Sequence, residues 1–170
     1  MKRFLFLLLT VVTLSASAQD VAPVLKFGYL SYDEVLQSMA DYATVEAGMA
    51  ELQEQYAAEQ KRVEDDFNKK YEEFLEGQRA FPATILQKRQ NELQELLDKN
   101  IAFKQEGQRL LAEAREKALA PLKARLASVL ERLGNANGFA FILNTDQNVA
   151  PWINTEMGID VTEAVKAALR

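Results

Sequence analysis

The sequence predicts a mainly α-helical fold with a small β body. A long antiparallel helical hairpin should project from a β-sheet or β-barrel head that is completed by oligomerisation. Two long helical segments lie between residues 41 and 133, a break containing glycine and proline separates them at residues 77–82, and short strand-like segments flank the pair. We therefore expect a hairpin arm at residues 41–133, with head segments at 19–40 and 134–170.

The first 18 residues have the three parts of a secretory signal peptide. Lys2 and Arg3 give a positive start, residues 4–14 are apolar apart from threonines, and Ala16-Ser17-Ala18 is a small-x-small cleavage site. The apolar run is too short to remain as a membrane span, so no stable membrane insertion is expected. We predict cleavage after Ala18 and export of the mature chain.

Composition excludes several classes of function. Without Lys2 and Arg3 the chain has 18 basic and 25 acidic residues, a net charge of −7, which argues against a nucleic-acid partner. The sequence has no cysteine and no histidine, which removes the commonest metal ligands and general bases. Glu64, Asp65 and Asp66 are adjacent on a helix and point about 100° apart, so they cannot converge on one ion. No catalytic, metal or cofactor-binding residue is predicted, and an enzyme is not expected.

The first head segment reads as a strand followed by a short helix. Apolar residues alternate over residues 25–30 after Pro23, which favours a strand. Ser31 and Asp33 are suitable caps for a helix over residues 33–39.

The outgoing half of the arm carries one apolar stripe. Its positions repeat with 4-3-4 spacing over eleven residues, which keeps them on one helix face: Val45, Met49, Leu52, Tyr56, Gln60, Val63, Phe67, Tyr71 and Phe74. At the break, we expect Gly77 to take a left-handed cap conformation and Pro82 to lie in the first turn of the next helix. Phe81 either folds back on the helix ends, the favoured interpretation, or points outward as a contact for other molecules.

The returning half should run over residues 83–135 with a second stripe closer to a heptad, made of Leu86, Leu93, Leu96, Phe103 and Leu110. Asn100 and Gly107 continue the spacing of seven and are expected to weaken the packing. Pro121 is expected to kink the helix near its base.

The last head segment should contain two strands and a helix. Residues 139–143 are apolar on both faces, like a strand buried on both sides, and residues 149–153 form a candidate edge strand. Asp160 and Glu163 form a capping box for a helix that ends at Leu169.

The head is too small to be stable alone, whereas each arm is on the order of 50–60 Å long. Oligomerisation is the simplest remedy. The strands would supply the interface residues Phe27, Tyr29, Phe139, Phe141 and Ile142.

The two head segments carry a family resemblance. They are Lys26-Phe27-Gly28-Tyr29-Leu30 with Glu34-Val35-Leu36, and Phe139-Ala140-Phe141-Ile142-Leu143-Asn144 with the capped C-terminal helix. Together with the signal peptide and the hairpin, they resemble the Skp/OmpH family of periplasmic chaperones across the whole mature chain. The resemblance implies a periplasmic homotrimer that holds unfolded outer-membrane proteins between its arms without ATP. The acidic charge departs from the best-known members, so no lipid site is carried over.

Aromatic residues on the arms are the candidate client contacts, although each can also simply hold the hairpin together. They are Tyr56, Phe67, Tyr71, Phe74, Phe81 and Phe103. We expect many weak contacts that combine hydrophobic surface with some charge. The alternative is a structural coiled-coil spacer or adaptor of the envelope, for which unbroken heptads would be expected.

Overall fold

The computed structural model describes residues 25–170, so the predicted signal peptide and cleavage site lie outside the described residues. The described elements are β1 (Phe27–Leu30), α1 (Tyr32–Gln37), α2 (Ala40–Gly77), α3 (Ala83–Asn137), β2 (Ile142–Asn144), a 3-10 turn (Asp146–Asn148), β3 (Gly158–Asp160) and α4 (Thr162–Leu169). The predicted fold class is confirmed. A long antiparallel hairpin of α2 and α3 projects from a head that holds a small sheet.

The sheet has three parallel strands in the order β2-β1-β3, with Gly28 opposite both Ile142 and Ile159. Parallel neighbours need a long crossover connection, and between β1 and β2 that connection contains the entire arm. Tyr29 lies opposite Leu143 on one side and Asp160 on the other.

The strand predicted over residues 139–143 is wrong in its start and its burial. The helix ends at Gly138, which has a φ of 64°, and the backbone reaches sheet geometry only at Ile142. The preceding backbone already bonds to β1, since the Ala140 amide donates to the Lys26 carbonyl at 2.9 Å. Phe141 is 47% exposed in the protomer, not buried on both faces.

The strand predicted over residues 149–153 is also wrong, because the third strand is β3. Gln147 and Asn148 have positive φ angles and turn the chain, and Pro151 has no amide to donate. The free edge of β1 is instead filled by β3, after which the Val161 amide donates to the Tyr29 carbonyl at 3.0 Å.

The hydrophobic core lies between the sheet, α1, α4 and the base of α3. Leu126 and Val35 are fully buried, and Leu30 is 2% exposed. The inner face of α4 is formed by Val161, Val165 and Leu169, which are all buried. The remaining core residues are Leu36, Met39, Leu119, Leu122 and Val129.

The predicted capping box at the start of α4 is only half formed. The Thr162 amide donates to Asp160 Oδ1 at 2.9 Å. Glu163 does not close the box, because its carboxylate accepts from Lys166 Nζ at 2.9 Å, and Lys166 also binds Glu34 of α1. The lysine therefore ties α4 to α1, and its pKa is raised by these two carboxylates.

The loop after β2 caps the first turn of α1, although it lies 115 residues further along the chain. Asp146 accepts from Ser31 Oγ at 2.6 Å and from the Asp33 amide at 2.9 Å, while Ser31 Oγ accepts from the Glu34 amide. Partial burial raises the pKa of Asp146, but the hydrogen bonds outweigh that effect and the pKa lies below its ordinary value.

We expect Asp146→Asn to destabilise the head by about 1–2 kcal/mol at neutral pH, because an amide cannot accept at both positions. A lowered pKa adds stability above the unfolded value near 3.8, and this stability is lost as the pH falls through the folded value. The difference between wild type and variant should therefore shrink in acid. Urea titrations at pH 7 and pH 3 measure it, with the exposed Glu131→Gln as control. A difference that does not change with pH would contradict this linkage.

Candidate functional site

Two surfaces are candidates for function, one on the head and one on the arm. On the head, β1 alternates, so that Gly28 and Leu30 face the core while Phe27 and Tyr29 face away from it. Phe27 stacks on Phe141, with ring centroids 5.2 Å apart. Of this aromatic pair, Phe141 is 47% exposed.

The five predicted interface residues divide between the two faces of the sheet. Phe139 and Ile142 pack against the core of the protomer, since both lie within 3.2 Å of the place where a Cβ on Gly28 would be. Phe27 and Phe141 remain outside the core. Sequence reasoning missed four further exposed apolar residues of the head, namely Leu25 (49% exposed), Val149 (69%), Trp152 (77%) and Ile159 (49%).

The seam between α2 and α3 is better packed than the sequence suggested. Asn100 Nδ2 donates to the Val63 carbonyl of the facing helix at 3.1 Å, so this polar residue bonds the two helices together. Gly107 is buried beneath Tyr56, and a Cβ there would lie 3.1 Å from the tyrosine ring. Both residues were expected to weaken the seam, and that expectation is wrong.

The candidate aromatic residues of the arm have different surroundings. Tyr56 and Phe103 face each other across the seam with ring centroids 6.2 Å apart. Phe67 is half-buried and stacks on Tyr71, which is 46% exposed. Phe74 and Phe81 line a cleft of 430 Å³ near the tip. Of the six, Tyr71 is the most open to solvent.

At the tip, Phe81 folds back against the end of α2, as the favoured interpretation expected. A Cβ on Gly77 would lie 2.3 Å from the ring, so glycine is needed here for space. The expected left-handed conformation of Gly77 is wrong, since among the described glycines only Gly138 has a positive φ. Pro82 precedes the first turn of α3 as its N-cap and does not lie within that turn.

We expect Gly77→Ala to displace the Phe81 ring and loosen the tip. Alanine normally stabilises a helix by about 1 kcal/mol relative to glycine, but here the ring must move to make room. Gly48→Ala is a matched control in α2, because a Cβ at Gly48 meets no atom within 4 Å. Amide exchange should become faster around residues 77–82 in Gly77→Ala and not in Gly48→Ala. Equal protection of the tip in both variants would contradict the role of Phe81.

The hairpin has two unlike long sides. One side, the charged face, carries Glu59, Arg62, Asp66 and Glu73 of α2 with Arg89, Glu92, Glu95, Lys99, Glu106 and Arg109 of α3. The 430 Å³ cleft opens on this side, with apolar Leu93 and Leu96 between its charged residues.

Ion pairs link neighbouring side chains of the charged face. Arg62 lies 2.7 Å from Glu59, and Arg109 lies 2.7 Å from Glu106. Hydrogen bonds from these arginines keep the pKa values of both glutamates below their ordinary value. These two glutamates therefore remain ionised near neutral pH.

The other side of the hairpin is the neutral face. On each helix it is formed by residues that come about one position after a residue of the seam. A step of one residue turns 100° around a helix, and in antiparallel helices the same step leads to the same side of the hairpin. The neutral face comprises Ala57, Gln60, Glu64, Asn68, Tyr71 and Leu75 of α2 with Gln90, Gln94, Leu97, Ile101, Lys104 and Gln108 of α3. Glu64 and Lys104 are charged, and Lys61 and Glu72, which follow Gln60 and Tyr71, lie at its outer edge; the four charges cancel.

A shallow depression confirms that the two halves of the neutral face share one side. It has a volume of 180 Å³, and its lining includes Ala57 and Gln60 of α2 together with Lys104 and Gln108 of α3. Gly107 and Tyr56 also line it.

Residues 25–170 contain neither a metal-binding cluster nor a membrane-spanning helix. Within this part of the chain, no group of three His, Cys, Asp or Glu residues is placed to hold a metal ion. The same residues include no helix with the length and apolarity needed to cross a bilayer.

Comparison with known proteins gives the family. No curated protein matches the chain. A solved structure from Caulobacter crescentus CB15, of a protein proposed to be an OmpH-like outer membrane chaperone, has the same fold with a TM-score of 0.61 and 18% sequence identity. That match covers 85% of this chain and 83% of the other. The family model described as outer membrane protein (OmpH-like) matches residues 26–169, nearly all of the described chain. The chain therefore belongs to the OmpH-like family of outer membrane proteins.

Proposed function

We propose that this protein is an ATP-independent holdase chaperone of the periplasm. Three copies join through their heads, and the three arms enclose an unfolded outer-membrane protein. The protein carries out no catalysis and uses no cofactor. It binds no nucleic acid and does not insert stably into a membrane.

The observation that carries this proposal is the exposed apolar surface of the arm. The 38 residues of α2 include none that is fully buried, although its stripe packs on α3. Large apolar side chains stay open to water in the half of the arm nearest the tip: Tyr71, Leu75, Ile85, Leu97 and Ile101 are each 40–49% exposed. Such a surface suits many weak contacts with an unfolded chain.

The head supports self-association. Over residues 25–170 the sheet has only three strands of three or four residues, and Phe141 and Trp152 present exposed aromatic surface on the head. Exposed apolar patches mark sites of contact with another chain. A second and third copy would cover them here.

Family membership and the predicted export signal agree with this function. The Caulobacter protein that shares the fold is described as an outer membrane chaperone, which favours a chaperone role here. A cleaved signal peptide would deliver the mature chain to the periplasm, where unfolded outer-membrane proteins pass.

The test is a binding titration of the mature protein against an unfolded outer-membrane barrel protein, preceded by a mass measurement in solution. Phe67→Ala or Phe81→Ala should each weaken binding by less than about tenfold, because many contacts each contribute a small part of the binding free energy. Deleting residues 75–85 should weaken it more than any single substitution, and ATP should have no effect. If one substitution abolishes binding while the trimer stays intact, the client is held at a discrete site and the distributed model is wrong.

One observation favours the alternative of a structural spacer. Asn100 bonds across the seam and Gly107 accommodates Tyr56, so the arm is a sound two-helix rod despite its polar and glycine positions. A spacer needs only that rigidity. Failure of the wild-type protein to retain an unfolded barrel protein in a pull-down would support the spacer and exclude the holdase.

A further inference from the structure

We propose that the neutral face is the surface that holds the client, and that it selects extended, uncharged polypeptide segments. This inference rests on the proposed function and specifies where on the arm, and by what chemistry, the client is held. It makes the charged face the outer, solvent-facing side of each arm.

The polar groups of the neutral face are suited to an extended backbone. Gln60, Gln90, Gln94 and Gln108 carry amides, which can both donate and accept hydrogen bonds. Gln60 and Gln94 each donate one N–H to a carboxylate of the same helix, at 3.0 Å and 2.9 Å, and keep a second N–H and a carbonyl oxygen. An unfolded segment presents unpaired backbone N–H and C=O groups in alternation, and amide side chains can satisfy either kind. An ionised side chain would satisfy only one kind and would have to give up its hydration.

The apolar groups of the same face supply the attraction. Leu97 and Ile101 lie one turn apart on α3 and are 40% and 49% exposed, and Tyr71 and Leu75 form the corresponding pair on α2. The depression beside Gly107 adds a place where one apolar side chain can enter between the helices. Apolar pairs and amide side chains thus both line the neutral face.

The dimensions agree with a strand of a membrane barrel as the occupant. From Ala57 to Leu75 the helix rises by about 27 Å. Membrane-spanning strands are about ten residues long with apolar residues at every second position, and ten extended residues measure about 33 Å. A second arm is a poorer occupant, because coiled-coil packing needs an unbroken apolar stripe and glutamines separate the apolar pairs here.

Charge favours the same assignment. The neutral face has balanced charge, whereas the chain as a whole carries a formal net charge of −5. On the charged face, side chains are already satisfied by ion pairs such as Arg89 with Glu92, 3.1 Å apart. A client bound there would have to desolvate these charged groups. Uncharged segments are therefore best received on the neutral face.

Neighbouring exposed residues allow a matched experiment. The double variant Ala57→Lys with Ile101→Lys places two charges on the neutral face, and Ala58→Lys with Ala102→Lys places the same two charges one residue further around each helix. All four lysines occupy exposed helix positions that lysine tolerates well. Both variants change the net charge equally, so long-range attraction or repulsion of the client is matched.

Affinity is measured for an unfolded outer-membrane barrel protein, with mass and helical content as controls. The neutral-face variant should bind at least tenfold more weakly than wild type, and its partner variant within twofold of wild type. Equal loss in both variants, or greater loss in the second, would overturn the inference. A neutral-face variant with a smaller assembly than wild type would also overturn it, since the face would then join copies of the chain. Absence of binding by wild type would instead reject the proposed function.

Crosslinking gives a second readout that does not depend on lost affinity. Because the chain has no cysteine, single cysteines at Ala57 and Ala58 can each carry a thiol-linked photocrosslinker without background. The client should crosslink from position 57 and much less from position 58. Equal yields from both positions would overturn the inference.

Discussion

Phe141→Asp is expected to break the assembly into monomers while the arms remain helical. In the protomer this ring is 47% exposed and stacks on Phe27, so the protomer alone should lose only about 1 kcal/mol. In the proposed trimer the ring is covered, and an aspartate there would be a buried charge without a partner. Light scattering should show the mass of one chain, with helical circular dichroism unchanged.

Phe141→Leu is the control for this prediction, since leucine keeps the apolar contact and should keep the trimer. If Phe141→Asp retains the wild-type mass, the exposed aromatic pair is not at the interface. A wild-type protein that is already monomeric at micromolar concentration would remove the trimer from the proposal.

Leu126→Ala is expected to have the largest effect on stability. Leu126 is fully buried at the base of α3, where the core contacts of α1, α4 and the sheet meet. Removing a buried leucine side chain costs about 3–5 kcal/mol, a large part of the stability of a small domain. Thermal or urea unfolding of the head measures this loss.

Leu97→Ala is the matched control on the same helix, because Leu97 is 40% exposed and should cost less than about 1 kcal/mol. Similar losses in the two variants would show that the core does not hold the head together. Loss of assembly in Leu126→Ala alone would indicate that the head must fold before the copies associate.

The hairpin was predictable because its signals are long and repeated. Eleven-residue spacing in α2 and a Gly–Pro break leave few alternatives over ninety residues. The head was less predictable, because its strands have only three or four residues. No strand pattern is visible at Gly158, Ile159 and Asp160. These residues form a strand because they pair with the free edge of β1, and not because of their local β propensity.

The arm site was predictable only in part. Aromatic residues mark the arm, but sequence alone did not separate Tyr56, held in the seam, from Tyr71, which is exposed. A signal for the neutral face was present: the residues that follow Leu93 and Gly107 are both glutamine. Interpreting it requires the antiparallel register, in which Asn100 faces Val63 and Gln108 lies across from Ala57. Asn100 was misjudged because its partner is a backbone carbonyl, and sequence patterns do not show backbone partners.

The arm lies between two strands that are neighbours in the sheet, and this arrangement sets an order for folding. Ser31 and Asp146 are hydrogen-bonded although 115 residues separate them along the chain. Closing so long a loop from a disordered chain is slow and entropically costly, but a hairpin that has already formed brings both ends together. We therefore expect α2 and α3 to pair before β1 and β2 pair in the sheet of the head. A newly exported chain would have its client-binding surface in place before it has the sheet through which it joins other copies.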